Sequence, residues 1–167
     1  PRTRDNYAES LRIPAEADPG VKFRYGPAAF YVFGEYMTRR LAGRFDSPFD
    51  YLKKRILDPI GVRITDWRRD PTGHYLMPQG ASLTAREWAK FGEFLKNMGT
   101  VDGKAILQKA SLKACLAGSA ANPAYGLTFW LAKEGTGPTG ETFRPLLPGA
   151  IDDLFMAAGA LGQRLIV

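Results

Sequence analysis

The stretch Lys22–Gly43, "KFRYGPAAFYVFGEYMTRRLAG", sets the frame for the rest of the chain. Pro27 falls where a helix would have its first residue, a position where the missing N–H does no harm. Behind it, Phe30, Phe33, Met37 and Leu41 recur at helical spacing, and Gly43 can cap the C-terminus. Tyr25 sits just ahead of this helix on a tight turn. Pattern alone makes such an aromatic a staple or core residue. A hydroxyl held out for chemistry would need the same rigid mount.

Three more helices follow. Ser47-Pro48-Phe49-Asp50 begins one: Ser47 can cap, Pro48 suits the first turn, and Asp50 complements the free N–H groups. Tyr51, Leu52 and Ile56 give it an apolar side, and Pro59 ends it. Thr84-Ala85-Arg86-Glu87 is a capping box, followed by Trp88, Phe91 and Leu95 and then by Gly99 as terminator. A short helix is expected over residues 108–116. The character then changes. "YGLTFWLA" (125–132) reads as a strand, "KEGTGPTGET" (133–142) as a glycine-rich turn, and "LFMAAGALG" with "QRLIV" (154–167) as strand, turn, strand. Helices first and strands afterwards predict an α+β architecture. Residues 1–20, polar and broken by Pro14, Pro19 and Gly20, read as an irregular lead-in.

Composition narrows the function. Of 167 residues, 45% are hydrophobic and 24% charged, as in ordinary globular domains. No apolar run approaches the roughly 20 residues of a membrane span. The net charge is +6. The basic residues are scattered singly and in pairs among Asp and Glu, which is a solvated surface rather than a nucleic-acid footprint. Gly135, Gly137 and Gly140 precede no helix, so they form no phosphate-binding loop. One cysteine, Cys115, excludes an internal disulfide and reads as a buried, inert thiol. The one histidine, His74, lies in the turn-rich "DPTGHYLMP" (70–78), which favours neither a Ser-His-Asp site nor a metal role. No cofactor and no metal are expected. The non-Met start and the apolar "LIV" end carry the expectation of cut ends, because a bare apolar strand edge invites aggregation.

Together, "KFRYGPAAFYVFGEYMTRRLAG", "SPFDYLKKRILDPIGV" (47–62), "GASLTAREWAKFGEFLKNMG" (80–99) and "GALGQRLIV" (159–167) resemble, in order, the C-terminal portion of the serine β-lactamase-related family. That family includes class C β-lactamases, D-alanyl-D-alanine carboxypeptidases, esterases and 6-aminohexanoate-dimer hydrolases. The resemblance implies a helical cluster beside an antiparallel sheet flanked by helices, over about residues 21–118 and 124–167. It implies a small-molecule amide or ester substrate cleaved through an acyl-enzyme, with Lys and Tyr handling the protons. On it, Tyr25 matches the catalytic tyrosine and the Ala160 amide is the strand-side oxyanion candidate. Gly26, Gly80 and Gly159 fall at substrate-binding positions.

Three departures qualify what the resemblance implies. Pro27 stands where the family's Tyr-x-Asn carries an amide, so the substrate is less defined than the reaction. "AAG" (157–159) replaces the Lys/His-Thr-Gly element without its cation. None of Ser10, Ser47, Ser82, Ser111 and Ser119 is followed by Lys three residues on. The nucleophile is therefore expected upstream of these 167 residues, and the chain alone is expected to be inactive. The alternative is a non-catalytic binding protein that uses the same cleft.

Overall fold

A computed structural model describes residues 4–144 and 153–167. Residues 1–3 of the lead-in and 145–152 of the expected strand region lie outside the described residues. The chain divides into two compact units. One comprises residues 1–14 and 26–90, the other 15–25 and 91–167.

The first unit holds α1 (Asn6–Ser10), α2 (Ala28–Leu41), α3 (Pro48–Leu52) and the start of α4 (Ala85–Lys96). It corrects the lead-in: residues 6–10 are helical, capped by the Asp5 carboxylate, which accepts from the Ala8 N–H. Tyr7 of α1 is 1% exposed, and its hydroxyl donates to the Tyr75 carbonyl at 3.0 Å. This contact also redirects α2. The buried face is Tyr31, Gly34 and Leu41, while Phe33, expected inside, is 52% exposed. A Cβ on Gly34 would collide with the Tyr7 ring, so only glycine lets the two helices approach. The spacing of α2 was legible, but the partner that selects its face comes from a segment with no helical signature.

The caps follow elementary chemistry. The Ser47 hydroxyl accepts the Asp50 N–H at 3.0 Å, and Pro48 opens α3. A π-helical turn, Lys53–Leu57, continues it. Pro59 supplies no N–H and its ring would crowd the carbonyl four residues back. The chain widens here instead, with the Asp58 N–H reaching Lys53 and the Val62 N–H reaching Leu57, both at 2.9 Å. At α4, the Thr84 hydroxyl accepts the Glu87 N–H at 3.2 Å, as the capping box predicts. The Glu87 carboxylate does not fold back to complete the box. It accepts the Arg63 N–H at 2.6 Å and pairs with Lys90 at 2.9 Å. Strands β1 (Asp66–Trp67) and β2 (Ala81–Ser82) pair antiparallel and bracket the loop that carries His74.

The second unit contains the rest of α4, a hairpin of β3 (Thr100–Val101) and β4 (Lys104–Ala105), α5 (Lys109–Cys115), and the remaining strands. β5 (Trp130–Leu131), β8 (Phe155–Ala158) and β9 (Arg164–Ile166) form an antiparallel sheet in the order β5-β8-β9. β6 (Gly135–Thr136) and β7 (Thr142–Phe143) make the hairpin that the glycine-rich segment suggested. Leu95 of α4, Leu112 of α5, Leu131 of β5 and Phe155 of β8 form the core. Cys115 packs half-buried against it.

The expected strand 125–132 is corrected. Only Trp130–Leu131 is strand, because the chain folds on itself between Tyr125 and Trp130. The Gly126 N–H donates to the Phe129 carbonyl at 2.9 Å, and Thr128 adopts a φ of 75°. A side chain on Gly126 would collide with the Cys115 carbonyl, so this turn has room only for glycine.

Candidate active site

Tyr25 sits half-buried in an aromatic cluster of the second unit. Its ring centroid lies 5.7 Å from Tyr125, edge-on at 88°, and 5.6 Å from Trp130. The turn at 126–129 brings Tyr125 and Trp130 to within 4.7 Å of each other, and Phe143 stacks on Trp130 at 4.6 Å. Phe23, two residues before Tyr25, packs on Tyr125 at 5.2 Å. Trp130 is 3% exposed and anchors the group to the sheet through its pairing with Met156. Edge-to-face and offset pairs of this kind hold ring positions at about 0.5–1.5 kcal/mol each beyond area burial.

The ring is braced, but the hydroxyl is not engaged. Among the described residues, the Tyr25 hydroxyl has no hydrogen-bond partner. The nearby cations in sequence are committed elsewhere: Lys22 and Arg24 both pair with Glu16, Lys22 at 2.9 Å and the Arg24 Nε at 3.0 Å. Those contacts pull the Glu16 carboxyl below its ordinary range, through Arg24 first and Lys22 second.

Tyr125, the neighbouring phenol, is the weaker candidate base. Burial, followed by the proximity of Tyr25, pushes it up to about 12. Tyr7 is likewise pushed up to about 12, by burial and then by Asp70. Both raised values favour the protonated form in the folded protein. The unfolded phenols release their protons near 10, so between pH 10 and pH 12 the unfolded chain holds fewer protons. The stability these two phenols contribute is therefore expected to be constant below pH 10 and to be lost as pH rises to 12. A spectrophotometric tyrosine titration alongside thermal melts checks this. Two phenols should ionise only as the chain unfolds, and loss of that lag in Tyr7→Phe or Tyr125→Phe would assign each.

The other predicted site residues are distributed as follows. Ala160 opens a short 3-10 turn, Ala160–Gly162, between β8 and β9. Leu161, at φ 59°, and Gly162, at φ 80°, complete the reversal. Gly159 donates its N–H to the Gln163 carbonyl at 2.9 Å, so that amide is taken up by the hairpin. Gly26 and Gly80 belong to the first unit. A Cβ on Gly26 would meet nothing within 4 Å, so local packing does not demand glycine there. Gly80 has a backbone reason of its own. Its φ is +113°, and a Cβ would press on Leu76, Trp67 and Arg68 at 3.2–3.4 Å. Tyr125, Trp130 and Phe143 were not singled out from the sequence as site residues. The aromatic density of "YGLTFWLA" was the available signal. Within the first unit, a cleft of about 430 Å³ has Tyr7, Ser47, Lys53, Arg69, His74 and Tyr75 on its walls. Its serine is spent as the α3 cap.

No protein-family model and no curated protein matches the sequence. Solved structures do. A candidate 6-aminohexanoate-dimer hydrolase from Bacillus anthracis is 22% identical, with a TM-score of 0.72 over 97% of this chain. A candidate β-lactamase from Bacteroides dorei DSM 17855 is 16% identical, with a TM-score of 0.69 over 99% of this chain. The chain spans 39% of the first structure and 53% of the second. With its helices and antiparallel strands, the chain shares the fold of these two structures, a β-lactamase-like one.

Proposed function

We propose that this chain is part of a serine hydrolase that cleaves a small amide or ester through an acyl-enzyme, with Tyr25 as the residue that moves the proton. The observation that carries this reading is the Tyr25 side chain itself. Its ring is held by Tyr125 and Trp130 while its hydroxyl has no partner among the described residues. A phenol ordinarily titrates near 10 and needs an adjacent cation to act near neutral pH. Lys22 and Arg24 are bound to Glu16, and on this reading the cation is a lysine from elsewhere. The family resemblance supplies it as the Lys of a Ser-x-x-Lys expected upstream, whose Ser is the nucleophile. The nucleophile's proton passes to the Lys–Tyr pair and then to the leaving group. The β8–β9 turn carries the Ala160 amide as the oxyanion donor on this reading. Pro27 offers no amide side chain to a substrate, which favours an ester or a simple amide over a β-lactam.

Covalent labelling tests the class. A fluorophosphonate probe is expected to modify a serine outside residues 1–167 of the full-length protein. It should leave the five serines within them untouched. A full-length protein that no such probe labels, and that hydrolyses no p-nitrophenyl ester, would be a binding protein instead.

A further inference from the structure

His74 reads as an uninvolved loop residue in the sequence, but the fold gives it two carboxylate neighbours. Its Nδ1 lies 3.3 Å from Asp5 Oδ1 and 3.9 Å from Asp70 Oδ2. The three donor atoms all fall within 4.8 Å of one another. We propose that Asp5, Asp70 and His74 form a binding site for a divalent transition cation, Zn²⁺ being the best fit to this donor set.

The site is built rather than accidental. The Asp70 side chain is 1% exposed. Its Oδ1 accepts the Thr72 N–H, the Thr72 hydroxyl and the His74 N–H at 2.7–3.0 Å. Its Oδ2 accepts the Asn6 N–H at 3.0 Å and keeps a lone pair for a further ligand. The backbone of the His74 loop is thus tied to the same carboxylate that the cation would use. The His74 ring is stacked flat on Tyr7 at 4.4 Å, which fixes its plane, and Thr72 Oγ1 lies 3.2 Å from Nδ1. Asp5 is a third exposed, and its Oδ1 is held in place by the Ala8 N–H at 2.9 Å.

Charge argues the same way. Among the described residues, no Lys or Arg pairs with Asp5 or Asp70, and both carboxylates face His74. Arg4 is turned to Glu9, and Arg69 lies over the Tyr75 ring. A cation between the two carboxylates would complement both. Bonds of about 2.0–2.2 Å to one nitrogen and two oxygens set ligand-to-ligand edges of roughly 3.3–3.5 Å in a tetrahedron. The 3.3 Å edge to Asp5 already meets this, and the 3.9 Å edge to Asp70 closes with a shift of about half an ångström in the His74 ring. Three protein ligands leave a fourth position for water or a small molecule. One imidazole and two carboxylates suit Zn²⁺ better than Ca²⁺ or Mg²⁺, which take oxygen donors only. Asp5 comes from the segment before α1 and Asp70 and His74 from the β1–β2 loop. A bound ion would therefore clamp two stretches 65 residues apart.

The test is zinc binding to chelator-treated protein, followed by calorimetry and by thermal melts with and without ZnCl₂. Saturable binding with a rise in Tm is expected. Asp5→Asn keeps an acceptor for the Ala8 N–H, and His74→Gln keeps the backbone bond to Asp70, so both variants should fold. Each should weaken zinc binding at least ~10-fold, the loss that even an outer partner of a metal site commonly causes. Co²⁺ should give visible bands in the wild type that both variants lose. Two results would overturn the assignment: no saturable zinc binding by the wild type, or equal binding by wild type and both variants.

Discussion

Tyr25→Phe is expected to lower kcat/KM for a p-nitrophenyl ester by roughly 10²–10⁴-fold in the full-length protein, the usual contribution of a positioned proton-transfer group. Its Tm should stay close to that of the wild type. The two expectations belong together. Phenylalanine keeps the edge-on contact with Tyr125 and the packing on Trp130, and the hydroxyl it removes has no hydrogen-bond partner among the described residues. A structural tyrosine would give the reverse result, losing stability and keeping turnover. Tyr125→Phe is the control. Burial holds that phenol up to about 12, which favours its protonated form. Its loss should change turnover far less. Equal effects from the two variants would reassign the proton transfer. Unchanged turnover in Tyr25→Phe would remove it from the mechanism altogether.

Asn122→Ala is expected to be the most damaging single change to stability, costing about 3–5 kcal/mol. Asn122 is fully buried. Its side-chain amide donates to the Thr136 carbonyl at 2.8 Å, while its oxygen accepts the Thr136 N–H at 3.1 Å and the Ala124 N–H at 3.2 Å. Alanine leaves all three backbone groups unpaired, and each buried orphan costs about 1–3 kcal/mol. For a chain of this length that corresponds to a fall in Tm of roughly 10 °C. The same side chain ties the 122–124 turn to β6 and so sets the β6–β7 hairpin, whose Phe143 stacks on Trp130. Turnover should therefore fall as well, with a weaker effect than in Tyr25→Phe. Circular dichroism melts provide the check. A loss below about 1 kcal/mol would mean that water replaces the amide and the network is open.

Local chemistry was readable wherever it depended on neighbours in sequence. Ser47 and Thr84 cap α3 and α4, and Gly43 and Gly99 leave their helices at φ +76° and +81°. The last 14 residues form strand, turn and strand, because strand propensity and a glycine turn are properties of a few adjacent residues. Asp102-Gly103 carried a hairpin signal that would have placed β3 and β4. Both residues adopt positive φ, as a two-residue hairpin turn requires. The 125–132 segment misled because strand propensity is blind to Thr128, whose left-handed backbone only the surrounding contacts impose.

By itself, the sequence determined the α+β class, the caps, the helix that begins after Pro27 and, through four ordered motifs, the family it resembles. All of these follow from spacing and backbone chemistry over a few residues. Tertiary structure decided what meets what. It buried Tyr7 against Gly34 and turned Phe33 outward, and it folded Tyr125 beside Trp130 to brace the Tyr25 ring. It also carried Asp5 across 65 residues to Asp70 and His74. Contacts between distant segments depend on how whole faces pack, and no local pattern encodes which face will find which partner.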